Sequence, residues 1–412
     1  MTPITAMTLD CGATLVAEKI FGVRSLGVKI LLPVGDAHDP EHLLGRAAMW
    51  SELLFRGAGE LDSKAQADAF DLLGASRSVE NSRLYTRISA TLLGERFGEV
   101  APLLAEMIRR PRFDPDSIEP ARELCLQSLA SLRDDPQQRC VLAARARHYP
   151  APLNRSGLGD ELGLRALTHG RLATDWSDSA RPGGTIIAIA GAIEPERAAT
   201  SLNEALAGWA GSGPSWHEGS PAPRGYAHEQ DDSTQVQIVV VHDAPREPSD
   251  EVVLEQLLIG VLSGGMSSRL FTEVREKRGL CYAVNASYAP SKETGTVTAY
   301  VGTTPERAQE SLDVLCAELE RINGHAPITP EEFQRAVVGM KSRIVFSGES
   351  TGARASSLAA DTHNLGRPRS LAEITAQVDA VTLDQLNAYA ARRRLGRLTI
   401  QTVGPSPLKP PA

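Results

Sequence analysis

Apolar positions along the chain switch between two periods. Residues 25–33, SLGVKILLP, run as a strand, preceded by a hairpin pattern over about 6–20. Leu44, Ala47, Ala48, Ser51, Leu54 and Phe55 then recur at helical spacing, which predicts a helix over about 42–55. A short helix, strands over about 75–93 and a group of helices to about 147 follow. Thr168 in ALTHGRL reads as a helix N-cap, and GGTIIAIAGAI follows it as a strand ending at Gly191. TQVQIVVVH opens the second half as a strand, alternating at first and then continuously apolar. Two helices, two strands and several more helices come next. Thr382 in AVTLDQL is again a helix N-cap, and GRLTIQTVGPS again ends a strand, at Gly404.

The two Thr-capped helices, each followed by a Gly-ended strand, sit at nearly the same offset in the two halves. A repeat this long is not a solenoid unit and implies two domains of one fold. Between them, GWAGSGPSWHEGSPAPRG (208–225) is rich in Gly, Ser and Pro and carries no period. The expected division is 1–210, a linker over 211–232, and 233–412. Strands and helices do not alternate strictly in either half. The expected class is therefore α+β, each domain a mixed, mostly antiparallel sheet with helices packed on one face.

At 412 residues the chain is long enough for two cores. Its net charge of −8 leaves no basic surface to neutralise phosphates, so nucleic acid is not an expected partner. No run of about 18 apolar residues exists to span a membrane, and the first residues carry no basic, apolar leader pattern. The five cysteines (Cys11, Cys125, Cys140, Cys281, Cys316) are scattered, with no C-x-x-C, and read as reduced thiols of a cytoplasmic protein.

One string suggests metal chemistry directly. HDPEH contains His38, Glu41 and His42 in the order H-x-x-E-H, with Glu119 downstream as a conceivable third ligand. That motif needs positions i, i+3 and i+4 on one helical face. Pro40 disfavours the α conformation at Asp39, so His38 is expected in an extended entry and His42 on the helix, pointing differently. The expected reading is a polar loop and helix start. A zinc peptidase using His38 and His42 stands as the alternative.

A second group of stretches carries a family resemblance. GGMSSRLFTEVREKRGLCYAV (264–284), VTLDQLNAYA with LTIQTVGP, PVGDAHDPEHLLGRAAMWSELLFRGAG and FDPDSIEPARELCLQSLASLRDDP together span nearly the whole chain. They resemble the pitrilysin/insulinase-like zinc peptidases, in the branch of the mitochondrial processing peptidases and their short bacterial relatives. The resemblance implies two clam-shell domains. It also implies a frame: active members place their zinc helix just before LF(R/K)G, here LLFRG at 53–57. In that frame the ligand and base positions hold Ala48, Ser51 and Glu52, and the third ligand falls near Gln127 or Ser128. HDPEH lies ten residues too early.

The resemblance further implies an Arg and a Tyr, seven apart, that face the zinc in active enzymes. Arg275 and Tyr282 fit that spacing, with Gly279 permitting the turn between them. Cys281 reads as a packed thiol and His363 as a helix-end residue. A phosphate cradle at Gly264 and Gly265 is a poor reading, because no P-loop Lys follows, although Ser267 or Ser268 suits a helix N-cap. A degenerate zinc half beside a preserved Arg–Tyr half implies a non-catalytic subunit, inactive alone, whose homologous partner subunit holds the zinc. The substrate implied is a peptide or unfolded polypeptide, added as an edge strand at about 78–93. The rival is a proteolytically inactive structural or peptide-binding scaffold, like the core proteins of the cytochrome bc complex.

Overall fold

The computed structural model describes residues 4–411. Two compact units are present, and neither is one continuous stretch. Among the described residues, the first takes in 4–131, 151–219 and 347–370; the second takes in 132–150, 220–346 and 371–411.

The strands in chain order are β1 (Ile4–Thr8), β2 (Thr14–Lys19), β3 (Ser25–Leu32), the short β4 (Gly57–Ala58) and β5 (Leu61–Asp62), β6 (Ser76–Asn81), β7 (Thr86–Leu93), β8 (Ile186–Gly191), β9 (Gly225–Gln230), β10 (Val236–Asp243), β11 (Cys281–Pro290), β12 (Gly295–Thr303) and β13 (Thr399–Gly404). The first unit holds a six-stranded sheet of order β1-β2-β8-β3-β7-β6, and the second a five-stranded sheet of order β11-β12-β10-β13-β9. Without β1 the two orders are the same. β8 lies parallel to β2 and antiparallel to β3. Correspondingly, β13 lies parallel to β9 and antiparallel to β10. The internal repeat is thus a repeat of topology. Thr168 and Thr382 both cap their helices, accepting from the backbone N–H groups of Arg171 and Gln385. β8 and β13 are buried at every position, as their continuous apolar sequences require.

The expected sheet-and-helix layering is present, with one addition. One face of the first sheet packs on a core that includes Leu26, Ile30, Ile88, Trp50, Phe97 and Trp176. Its other face carries Val16, Leu31, Ile186, Ala188 and Ala190, covered by Ala355, Leu358 and Ala359 of helix Thr351–Leu365. That helix comes from the far half of the sequence. In the second unit the sheet face bearing Val239, Val241, Tyr300 and Val403 is covered by Cys140 and Ala144 of helix Pro136–His148, which comes from the first half. Two serial domains, 1–210 and 233–412, therefore differ from the observed units by an exchanged helix each. The expected linker, 211–232, is also shorter than drawn: Gly225–Gln230 is β9, paired in register with β13. Its side chains are partly buried and the strand lies at a sheet edge, so its sequence shows no clear period.

Candidate functional site

The HDPEH loop is built by ion pairs rather than by a helix. Asp36–His38 and Glu41–Leu43 are single tight turns, and Asp39 between them is extended (ψ 135°), as a residue before proline should be. The helix starts only at Arg46, after Gly45 at φ 103°, and runs to Leu53. The expected start at 42 is corrected by this left-handed residue, which breaks the stripe between Leu44 and Ala47. Asp39 accepts from the N–H groups of Gly45 (3.1 Å) and Ala47 (3.2 Å), so its carboxylate satisfies the free donors of the first turn. Arg46 donates to the His38 carbonyl (2.6 Å) and pairs with Asp175 (2.7 Å), while Arg155 donates to the Asp36 and Asp39 carbonyls. The His38 ring lies 3.2 Å from the Gly35 carbonyl, and His42 and Glu41 face solvent. Glu119 pairs with Arg122 at 3.0 Å.

At Ala48, Ser51 and Glu52, where the family resemblance implies the zinc position, the side chains form no metal-holding group among the described residues. Ala48 has no donor atom. The Ser51 hydroxyl donates to the Ala47 carbonyl at 3.0 Å. Glu52 is the one carboxylate, and the thiol whose charge it influences, Cys125, is pushed up to about 12 by burial first and by Glu52 second. Gln127 and Ser128 are exposed, and the Ser128 hydroxyl donates to its own helix. Among the described residues no three His, Cys, Asp or Glu side chains come together as a metal-holding group.

Arg275 and Tyr282 are brought together, each by an irregular piece of backbone. Residues Phe271–Glu276 wind as a π-helix, with the Lys277 N–H reaching five residues back to the Thr272 carbonyl at 2.9 Å. Gly279, at φ 60°, ends the turn. β11 then begins at the sheet edge with a bulge: Cys281 pairs with Thr303 and Ala283 with Gly302, so Tyr282 is the extra residue. A bulged residue is freed from the pleat and its side chain is re-aimed. Tyr282 is accordingly 84% exposed. The Arg275 guanidinium carbon lies 5.3 Å from the centre of the Tyr282 ring and 4.9 Å from that of Phe271. Nearby Glu273 is already engaged by Lys277 (2.6 Å) and Arg278 (2.9 Å), and Arg275 has no carboxylate partner among the described residues.

The result is an exposed guanidinium held between two aromatic faces, with its N–H donors unspent and a phenol beside it. This is neither a surface ion pair nor a tyrosine packed into a sheet. The family resemblance pointed to the Arg and the Tyr but not to Phe271, although its position four residues before Arg275 was a signal for ring–guanidinium contact. Cys281 is half-buried, which raises its thiol pKa, in keeping with a packed side chain. His363 lies in the last turn of its helix, with its ring 2.9 Å from the Tyr85 hydroxyl.

Comparison with known proteins places these features in a family. The profile described as insulinase (peptidase family M16) matches residues 17–160, and that described as peptidase M16 inactive domain matches 180–340. The chain is 24% identical over 409 residues to an uncharacterized zinc protease, YmxG, of Bacillus subtilis (strain 168), with 98% of each chain covered. A peptidase M16 inactive domain from Pseudomonas fluorescens has the same fold, with a TM-score of 0.86, 20% identity and 99% of both chains covered. A chain of complex III2 from Candida albicans, solved with Inz-5 bound, also shares it, with a TM-score of 0.82, 16% identity, and 98% of this chain and 96% of that one covered. The repeated sheet topology and the two profile matches agree, and the chain belongs to the insulinase-like M16 peptidase family.

Proposed function

We propose that this chain is the non-catalytic subunit of a two-subunit zinc peptidase and that Arg275 and Tyr282 are its contribution to the reaction. The metal and its ligands belong to a homologous partner subunit, and the substrate is a peptide or unfolded segment. The observation that carries this reading is the clamped, unpaired Arg275 beside an 84% exposed Tyr282 in a chain whose own zinc address holds Ala48, Ser51 and Glu52. In this role the Tyr282 hydroxyl donates to the scissile carbonyl oxygen as it gains charge, and Arg275 donates to a neighbouring main-chain carbonyl. Stacking on Phe271 and Tyr282 orders the guanidinium before substrate arrives, which lowers the entropy lost on binding. The free edge strand β6 is where an extended peptide would add. Free thiols at all five cysteines suit a cytoplasmic setting.

The test combines the purified chain with a homologue that carries an intact zinc motif. Each alone should hydrolyse peptides poorly, and the mixture should be active. Tyr282→Phe keeps the ring and removes one donor, so turnover should fall about 10²–10³-fold. Arg275→Ala should weaken substrate binding as well as turnover. Neither variant should change the zinc content or the size of the complex. The likeness to a chain of complex III2 supports a second reading, a scaffold without proteolytic function. That reading predicts that both variants leave the mixture's activity unchanged.

A further inference from the structure

β6 ends the first unit's sheet, and its Arg77 takes no part in the reaction proposed above. The hairpin turn decides which backbone groups of this strand are open. The Ser82 N–H donates to the Tyr85 carbonyl at 2.9 Å, so Ser82 turns its backbone toward β7. Backbone groups alternate along an antiparallel ladder, and the pairing runs in step from Asn81 opposite Thr86 to Ser76 opposite Thr91. Ser76, Ser78 and Glu80 therefore bond to β7, while the N–H and C=O groups of Arg77 and Val79 face the open edge. Among the described residues no other backbone group takes them. A strand added to β6 would bond to these two residues.

Side chains alternate across the same strand. Glu80 lies opposite Arg87 on one face. Arg77 lies opposite Ala90 and Val79 opposite Ile88 on the other, where Ala90 and Ile88 enter the core. The Arg77 guanidinium carbon is 4.2 Å from the centre of the Phe70 ring and 5.5 Å from that of Phe55, so two aromatic faces position it. It makes no ion pair among the described residues, and its Nε is buried with no hydrogen-bond partner. Burial is the larger influence on its charge and lowers its pKa; Asp71, the acid that opposes this, is exposed and forms no ion pair with it. A partly buried cation with an unspent donor costs stability until a partner completes it.

We infer that Arg77 selects the substrate, and that the peptide added to β6 carries an acidic side chain opposite it. This rests on the peptide-binding role proposed above. Residues directly opposite on neighbouring strands share a face, with Cβ atoms about 5 Å apart. A Glu or Asp paired with Arg77 thus lies on the guanidinium's face, and its carboxylate can accept from the Nε–H. An apolar side chain there leaves the donor unused, and a basic one adds a like charge. An inward charge on an edge strand can instead serve to repel stray strands. That role makes the opposite demand: removing Arg77 should strengthen the binding of every extended peptide.

The experiment measures binding of labelled, capped decapeptides to the full chain by fluorescence anisotropy at low ionic strength. Three peptides of extended propensity differ only in a central Glu, Gln or Lys. The chain's net charge of −8 means that unspecific attraction favours the Lys peptide. The expected order is the reverse, with the Glu peptide bound about fivefold tighter than the Gln peptide and the Lys peptide weakest. Arg77→Gln should abolish the preference, Arg77→Lys should retain part of it, and Arg77→Glu should turn it toward Lys. Arg87→Gln removes the same charge from the other face of the hairpin and should leave the preference unchanged. Thermal melts check that the variants fold, and the comparison of peptides on the parent chain needs no variant. Equal affinity for Glu and Gln, no saturable binding of any peptide, a preference that survives Arg77→Gln, or tighter binding of all three by that variant overturns the inference. No hydrolysis, zinc or partner enters the measurement. Arg275 and Tyr282 can prove idle while the preference holds, and a missing preference leaves their test as it stands.

Discussion

Asp36 is buried at the start of the HDPEH loop, and its Oδ1 has no hydrogen-bond partner. Burial, and then the neighbouring Asp39, push its carboxyl up to about 7 from 3.8; burial likewise holds Asp39 up, to about 6, against the pull of Arg46. A carboxyl with a raised pKa keeps its proton in the native state after the unfolded chain has lost it. The native protein should therefore lose stability as the pH rises from about 4 to about 7 through this pair. Asp36→Asn holds the site neutral and should flatten that slope, leaving the variant more stable than the parent at pH 8 by about 1–3 kcal/mol. Urea titrations at pH 5 and pH 8 measure it; a parent–variant difference that does not grow with pH contradicts the assignment. At this scale the sequence was informative where chemistry is local. Pro40 fixed Asp39 as extended, whereas Arg275 and Tyr282, a pair that does meet, were singled out by the family resemblance and not by local chemistry. The bulge that turns Tyr282 outward was not legible, because it is set by the register of β11 on β12. Nor was the burial of Asp36 beside Asp39, which depends on how the loop between β3 and the following helix folds back.

Elements were legible where a single period or cap decided them. β8, β10 and β13 appear as the apolar runs indicate, and Thr168 and Thr382 cap the helices they should. The helix start after β3 was not, since the apolar spacing continues through Gly45 while the backbone does not. The parallel insertions of β8 beside β2 and β13 beside β9 join strands over 150 residues apart, and no local pattern encodes them. The same holds for the helix Thr351–Leu365 on the first sheet. Its seating shows in Gly27 of β3: a Cβ there would lie 2.4 Å from the backbone carbonyl of Thr351. Backbone cannot give way as a side chain can, so Gly27→Ala should cost about 3 kcal/mol and lower the melting temperature by several degrees. Gly339→Ala, in a helix interior with only a flexible guanidinium nearby at 3.8 Å, should instead stabilise by about 0.5–1 kcal/mol. Thermal melts of the two variants test opposite signs of one substitution. Equal shifts would mean that the helix does not sit on β3 as described.

The exchanged helices set how the whole molecule responds to a cut. Residues 212–224 carry almost no regular structure and join Trp209, in the first unit's core, to β9 in the second. A protease should cut there first, because extended, exposed chain is the easiest to fit into an active site. Two serial domains would then be free to part. Here the N-terminal fragment keeps helix Pro136–His148 on the second sheet, where Cys140 and Ala144 are fully buried and His148 accompanies Tyr149, whose hydroxyl lies 2.7 Å from Thr296. The C-terminal fragment keeps helix Thr351–Leu365 on the first sheet, with Leu358 and Ala359 buried and Arg354 paired to Glu18 at 2.5 Å. Parting the fragments would expose both sheet faces and leave Arg354, 1% exposed, without its carboxylate, at a cost of about 3–5 kcal/mol for the broken ion pair alone. The nicked protein should therefore run as one 44.1 kDa particle on size exclusion and separate into two pieces only in denaturant. For the same reason residues 1–210 expressed alone should be insoluble, because Val16, Leu31, Ile186, Ala188 and Ala190 lose their cover. Fragments that separate in native buffer after a single cut at 212–224, or a soluble, cooperatively folding 1–210, would show that each half is a free-standing domain after all.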